Sequence, residues 1–401
     1  MIEAESIKQK AKIFSNKIIS IRRHLHSHPE LSFKEFNTSI YIKSLLNEFG
    51  IEYKDGFVKT GIVAEIKGKN PETKIIALRA DMDALPIREQ NKTEYKSLND
   101  GVMHACGHDV HMSCMLGAII ILNELREELE GTIKFVFQPG EEVLPGGAKL
   151  MLEENLFGNK LPNAIIAQHV FPSMETGKVG FRNGMYMAST DEIYITVVGK
   201  GGHAAMPSEY CNPILIASKI LMELQKEFME NKNIDENGNE IPCVLAFGKI
   251  NGAGATNIIP EKVSIEGTFR TMNEGWRAAS HEKIINVCNK LANEYGAKAE
   301  VKIINGYPFL ENDESTTNIC RDAAIYYLGK ENVEELPLRM TAEDFAWFSQ
   351  QIPSCFYRLG TGNKTKGIVS GVHSPTFDID EDALEIGSGL MAWLAISLLK
   401  N

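Results

Sequence analysis

Long apolar runs are missing from this sequence. No stretch approaches the length of a membrane span, and the opening MIEAESIKQKAK is polar and mixed in charge, without the apolar segment and cleavage site of an export signal. The expectation is a cytoplasmic protein with no membrane partner. Basic residues are also in deficit: Lys and Arg number 42 against 53 Asp and Glu, a formal net charge of -11, which speaks against a nucleic-acid partner. Cysteines are few and unevenly spaced, seven in 401 residues, so a disulfide framework is excluded. Internal repeats and low-complexity tracts are lacking as well.

What is present suits a folded chain of two domains: 43% hydrophobic and 24% charged residues over 401 positions. Helical periodicity runs from Ala4 to His26 and from Glu35 to Phe49, with HPELSF between them, where Pro29 stops the first helix. Short β-branched runs follow at Gly61 to Ile66, Lys74 to Arg79, Thr132 to Phe137 and Ala164 to Ala167, with a helical pattern from His111 to Leu129. This alternation predicts an α/β domain with a mostly parallel sheet and helices on both faces.

From Thr190 the rhythm changes. Strand, helix, strand, strand, helix and strand are expected at Glu192 to Val198, Pro213 to Glu230, Pro242 to Ile250, Lys262 to Thr271, Glu274 to Tyr295 and Lys298 to Ile304, the order of a ferredoxin-like unit. The first rhythm returns after Gly306, through Thr316 to Leu328 and Cys355 to Leu359 to a last helix from Glu381 to Leu399. A small α+β domain is thus expected inside a larger one, with a polar loop from Asn231 to Glu240 at its edge.

The stretch MHACGHDVH, Met103 to His111, crowds a thiol and three imidazoles into nine residues just before a helix. Cys106 and His108, separated by Gly107, can approach one metal cluster if the loop bends there; the alternative is a buried thiol beside a capping imidazole. The strand TIKFVF runs into QPGEE, so Glu141 and Glu142 leave the carboxyl end of a parallel strand, where α/β proteins place their sites. Adjacent side chains diverge, so one carboxylate can bind metal while the other serves as a base toward water, unless the pair is only a solvated turn.

His169 ends the run AIIAQH, and His373 lies in GVHSPTFDIDE; a structural role is open for each. Asp81 and Asp83, in RADMD, can fix the tautomer of a ligand histidine or merely cap a turn. One thiol, three imidazoles and a carboxylate are more than a closed structural zinc site needs. They suit two divalent ions, with Zn, Mn, Co and Ni all compatible with the mixed donors.

These segments, together with RRHLHSHPELSFKEF, RADMDALPI, GGHAAMP, NIIPE and TAEDFAWF, resemble in order the aminoacylase and carboxypeptidase-like family of two-metal amidohydrolases. The similar branch is that of hippurate hydrolase, N-acyl-amino-acid amidohydrolases and auxin-conjugate hydrolases, and the resemblance covers essentially the whole chain. It implies a zinc-peptidase-like catalytic domain, residues 1–185 and 306–401, carrying an inserted lid and dimerisation domain, residues 186–305. It further implies two divalent ions per subunit, with Cys106 bridging in place of an Asp and His108, Glu142, His169 and His373 completing the ligands.

By the same resemblance Glu141 is the general base and Asp83 supports the catalytic set. His203 stabilises the tetrahedral intermediate, though it could be only a turn residue. Asn257 and Arg270 face the substrate carboxylate, though Arg270 could be a solvated strand-end charge. The implied reaction is hydrolysis of N-acyl amino acids such as N-acetyl or hippurate-like substrates, by a homodimer joined through the lid. A narrower deacetylase of the N-acetyl-diaminopimelate type, a dipeptidase and a non-catalytic binding relative are the competing readings. One departure stands out: after GGHAAMP the chain has SEYCNP, with Ser208, Cys211 and Asn212, a loop expected to shape the mouth of the site.

Overall fold

A computed structural model of the chain describes residues 2–231, 233–234 and 238–401. These residues form two compact units: Met1–Tyr186, Glu311–Pro337 and Asp344–Asn401 make the first, and Met187–Leu310 with Leu338–Glu343 make the second.

The first unit is built on an eight-stranded sheet in the order Glu52–Phe57, Gly61–Lys67, Thr132–Gln138, Ile75–Asp81, Ala164–Glu175, Ser354–Gly362, Val179–Phe181 and Val333–Glu335. Its four central strands run parallel. Every residue of Ile75–Asp81 and of Ser354–Gly362 is buried, as expected where a parallel strand is covered on both faces and therefore reads as a continuous apolar run rather than an alternating one. The fold is α/β with a mostly parallel sheet.

Four features differ from the sequence expectations. The helix expected from His111 begins three residues earlier, at His108, because Gly107 takes the left-handed conformation (φ 83°) and turns the chain into the helix there. The run Ala164 to Ala167 extends to Glu175, and a polar strand, Glu52–Phe57, adds an antiparallel edge that apolar periodicity does not reveal. The last helix, Asp382–Lys400, is long and apolar enough to cross a membrane by length and composition, contrary to the expectation that no run is. It is instead largely buried in the core, packed against Ala4–Ser27 and His108–Glu124, which is why it needs apolar residues all round.

The second unit has a four-stranded antiparallel sheet in the order Cys243–Asn251, Lys262–Thr271, Asp191–Val198, Lys298–Asn305, with helices Pro213–Gln225 and Glu274–Glu294. This is ferredoxin-like topology: the first and third strands of the unit lie in the middle. Its core joins Ile193, Ile195 and Val197 from the sheet to Ile220, Ile284 and Cys288 from the helices. The loop expected at Asn231 to Glu240 lies partly outside the described residues; of the rest, Ile234 bridges to Glu240. In the atypical SEYCNP segment, Asn212 caps the Pro213–Gln225 helix, its side-chain oxygen accepting the Ile214 N–H at 3.0 Å, so at least this departure serves the helix end.

Candidate metal centre

The carboxyl ends of the parallel strands carry the polar residues of the first unit. Asp81 ends its strand, Gln138 ends the next before the turn Pro139–Gly140–Glu141–Glu142, and His169 lies within Ala164–Glu175. The helix His108–Glu124 starts at the same edge, with Cys106 just ahead of it. A Cβ at Gly107 would stand 2.6 Å from the Val170 side chain, so the bend that separates Cys106 from His108 needs glycine on two counts, its positive φ and this close approach. His373 also has positive φ (61°), a conformation costly for a non-glycine residue, and its N–H donates to the Ala105 carbonyl at 2.7 Å.

The ligand atoms come together as two groups that share one sulfur. Cys106, His108 and His169 place one donor atom each within 4.8 Å of one another, and so do Cys106, Glu142 and His373. Cys106 Sγ lies 3.6 Å from His169 Nε2, and His373 Nε2 lies 3.4 Å from Glu142 Oε1. Glu141, also buried, falls within 4.8 Å of His108 and Glu142.

The imidazoles are set by hydrogen bonds at their far nitrogens. His108 Nδ1–H donates to Asp83 Oδ1 at 3.2 Å and His169 Nδ1–H to the Val170 carbonyl at 2.8 Å, which turns both Nε2 lone pairs toward the cluster. Asp83 also accepts the N–H groups of Glu141 at 3.1 Å and Glu142 at 3.0 Å, and the Ser32 hydroxyl at 2.6 Å. With its oxygens engaged in this way, Asp83 is tied to the His108 ring and to the glutamate turn at once.

A third triad of donors, Asp81, His108 and His111, is equally compact, but His111 has no lone pair to give. Its Nδ1–H donates to Asp81 Oδ1 at 2.6 Å and its Nε2 accepts the Val170 N–H at 2.9 Å. Asp81 takes a further charge-assisted bond from the buried Arg79, 2.7 Å away, and Arg79 reaches Asp344 at 2.8 Å. Sequence reasoning passed over His111 and Arg79. The available signal for His111 was its place one helical turn after His108; a buried arginine in a strand gives none.

The electrostatics describe a site short of positive charge. Burial works against the His108 cation, yet Asp81 and Asp83 outweigh it and hold its pKa well above the imidazole range. Cys106 and Glu142 push His373 up to about 10. Burial, helped by Glu142, raises the Cys106 thiol, whereas burial and the Arg358 guanidinium keep His169 neutral. Among the described residues His108 Nε2 is buried without a hydrogen-bond partner, and Glu142 Oε1 has the His373 contact at 3.4 Å. An unpartnered imidazole nitrogen beside a thiol, with protons held where anionic groups demand a cation, fits divalent metal ions replacing those protons.

The remaining sequence-derived residues belong to the second unit. His203 is exposed on the short strand Gly202–His203, which pairs with Ile258–Ile259, and its Nδ1 accepts the Ala205 N–H at 3.1 Å. Asn257 adjoins it through its carbonyl, which accepts the Ala204 N–H at 3.0 Å. Arg270, half-buried on Lys262–Thr271, donates to the Met340 carbonyl at 3.3 Å, and burial lowers its pKa.

Comparison with known proteins agrees with this architecture. The profile of peptidase family M20/M25/M40 matches residues 77–396. The chain is 38% identical over 393 residues to an N-acetylcysteine deacetylase of Bacillus subtilis, covering 97% of this chain and 99% of that one. It is 36% identical to an IAA-amino acid hydrolase of Arabidopsis thaliana, over 96% of this chain and 87% of the relative. A crystal structure of a Bacillus subtilis dinuclear metal binding peptidase of the M20 family superposes with a TM-score of 0.82 at 35% identity, covering 97% and 99% of the two chains. The chain belongs to peptidase family M20/M25/M40 and is an amidohydrolase.

Proposed function

We propose that the protein hydrolyses the amide bond of N-acyl amino acids, releasing a carboxylic acid and a free amino acid. The observation that carries this reading is the pair of donor triads meeting at Cys106 with Glu141 beside them. In it, Cys106, His108, Glu142, His169 and His373 would hold two divalent ions, Cys106 being common to the two donor groups. Such ions, when bound, would supply Lewis acidity, lowering the pKa of water and polarising a carbonyl oxygen.

Glu141 is buried at the edge of this donor set and is not itself needed as a ligand, so it acts as the base: it takes a proton from the attacking water and delivers it to the departing amine nitrogen. His203 supplies a donor to the developing oxyanion, and Arg270 with Asn257 receives the amino acid carboxylate, for which a guanidinium fork is well matched. Asp83 positions His108 and both glutamates. The names of the relatives support the substrate class, since the deacetylase and the IAA-amino acid hydrolase both act on acylated amino acids by those names. Assembly as a homodimer through the second unit and a cytoplasmic location complete the proposal.

The test is release of free amino acid from N-acetyl, N-benzoyl and indole-acetyl amino acids by metal-stripped protein reloaded separately with Zn, Mn, Co and Ni. Turnover that returns only with metal supports the reading. Full metal occupancy without turnover of any member of the panel would overturn it.

A further inference from the structure

The segment HPELSFKEF near the N-terminus, so far represented only by Ser32 on Asp83, also packs against the glutamate turn. Leu31 bridges to Ala84, the Ala84 N–H donates to the Glu30 carbonyl at 2.8 Å, and Phe33 adopts positive φ (61°). This brings the Glu35 carboxylate, fully buried, to Gly140, some hundred residues away in sequence. Glu35 Oε1 accepts the Gly140 N–H at 2.9 Å and the Phe33 N–H at 2.7 Å, and Oε2 accepts the Thr60 hydroxyl at 2.9 Å.

Gly140 has φ 61°, and a Cβ there would meet the Phe33 ring at 2.4 Å, so the turn is pressed against this segment as well as bonded to it. From the geometry we infer that Glu35 is a positioning residue for Glu141, acting through the Gly140 N–H. The inference rests on the reading of Glu141 as the base.

Two buried carboxylates therefore divide the turn. Asp83 holds its far end, at the N–H groups of Glu141 and Glu142, and with it the His108 ligand; Glu35 holds its near end, at Gly140. Losing Asp83 disturbs ligands and base together, whereas losing Glu35 frees the Pro139–Gly140 peptide that leads into the turn and leaves the N–H groups of both Glu141 and Glu142 on Asp83. A base displaced by a fraction of an ångström loses rate while ground-state binding survives. Burial, then the facing Asp83, pushes the Glu35 carboxyl up to about 7, so the bond from Gly140 does not require a full negative charge at its acceptor. A glutamine side-chain oxygen can accept the same two N–H groups.

The experiment compares Glu35→Ala, Glu35→Gln and Glu141→Gln in the metal-loaded full chain, measuring kcat, KM and bound metal per chain. Glu35→Ala is expected to lower kcat about tenfold or more with KM within about threefold of the parent and metal content unchanged, and Glu35→Gln to recover most of the loss. Unchanged kcat in Glu35→Ala, a Glu35→Gln protein as impaired as Glu35→Ala, or metal lost in step with kcat would each overturn the inference. Should Glu35→Ala fail to fold, Gly140→Ala carries the test: it drives the turn off Phe33 with Glu35 intact and must lower kcat at unchanged metal content, and normal kcat there overturns the inference. An active Glu141→Gln protein sinks the base reading itself; an inactive one beside an unimpaired Glu35→Ala sinks only the role of Glu35.

Discussion

Asp83 Oδ1 lies 3.2 Å from His108 Nδ1, and the two oxygens of the same carboxylate take the N–H groups of Glu141 and Glu142 at 3.1 and 3.0 Å. A side chain two residues past the end of the strand Ile75–Asp81 thus aligns an imidazole from a helix start and two carboxylates from a neighbouring turn. Burial opposes its charge, but these donors keep Asp83 below the usual carboxylate range, so it stays ionised.

Removing that carboxylate should damage metal binding and turnover together. Asp83→Ala leaves the His108 Nδ1–H and two buried backbone N–H groups without their acceptor, and metal affinity is expected to fall about 10-fold to 100-fold. Titration with zinc under competition by a chelator measures this. Affinity equal to the parent would show that the ligands align without Asp83.

The shared sulfur makes a sharper prediction. Cys106→Ala should leave two incomplete donor groups and bind less than one metal per chain, whereas Cys106→Asp, with two oxygens to offer, should keep both sites occupied. Elemental analysis after dialysis decides. Equal metal content in Cys106→Ala and the parent would remove Cys106 from the ligand set.

Stability of the second unit depends on another buried carboxylate. Asp191 accepts from Arg277 Nε at 2.9 Å, from His281 Nε2 at 2.7 Å and from the Gly306 N–H at 3.2 Å. Asp191→Ala leaves the Arg277 charge buried without this partner and is expected to cost about 3–5 kcal/mol. Burial resists ionisation of Asp191, yet His281 and Arg277 lower its pKa in the folded state. Its contribution is therefore fully present above the unfolded value of about 3.9 and is lost as pH falls through the lower folded value. Thermal melting should show a wide gap between parent and variant at pH 7 that narrows below about pH 4; a gap independent of pH would contradict the assignment.

Much of this was legible in the sequence, and for identifiable reasons. Cys106 stands beside a helix start and Glu142 just past a strand end, positions that periodicity places without a structure, whereas His169, read as the end of its strand, lies in the middle of Ala164–Glu175. The ferredoxin-like unit shows in the spacing of six elements, each with its own period. Glu35 and Arg79 escaped because their partners, Gly140 and Asp344, are distant in the chain, and local patterns do not see contacts through space. His111 was seen only as one more imidazole, since whether its nitrogens are free depends on Asp81 and Val170. The last helix, expected at Glu381 to Leu399, is found at Asp382–Lys400; only its apolar length was underrated, because Asp382, Glu385 and Lys400 sit at its ends and frame a core segment that is apolar on every face.

Whether Glu141 moves the proton while its neighbours hold metal is decided by kcat and bound metal in Glu141→Gln assayed on an N-acyl amino acid that the parent hydrolyses. A folded protein with the parent's metal content and kcat reduced about 10²-fold to 10⁴-fold is expected. Turnover comparable to the parent at full metal occupancy would contradict it.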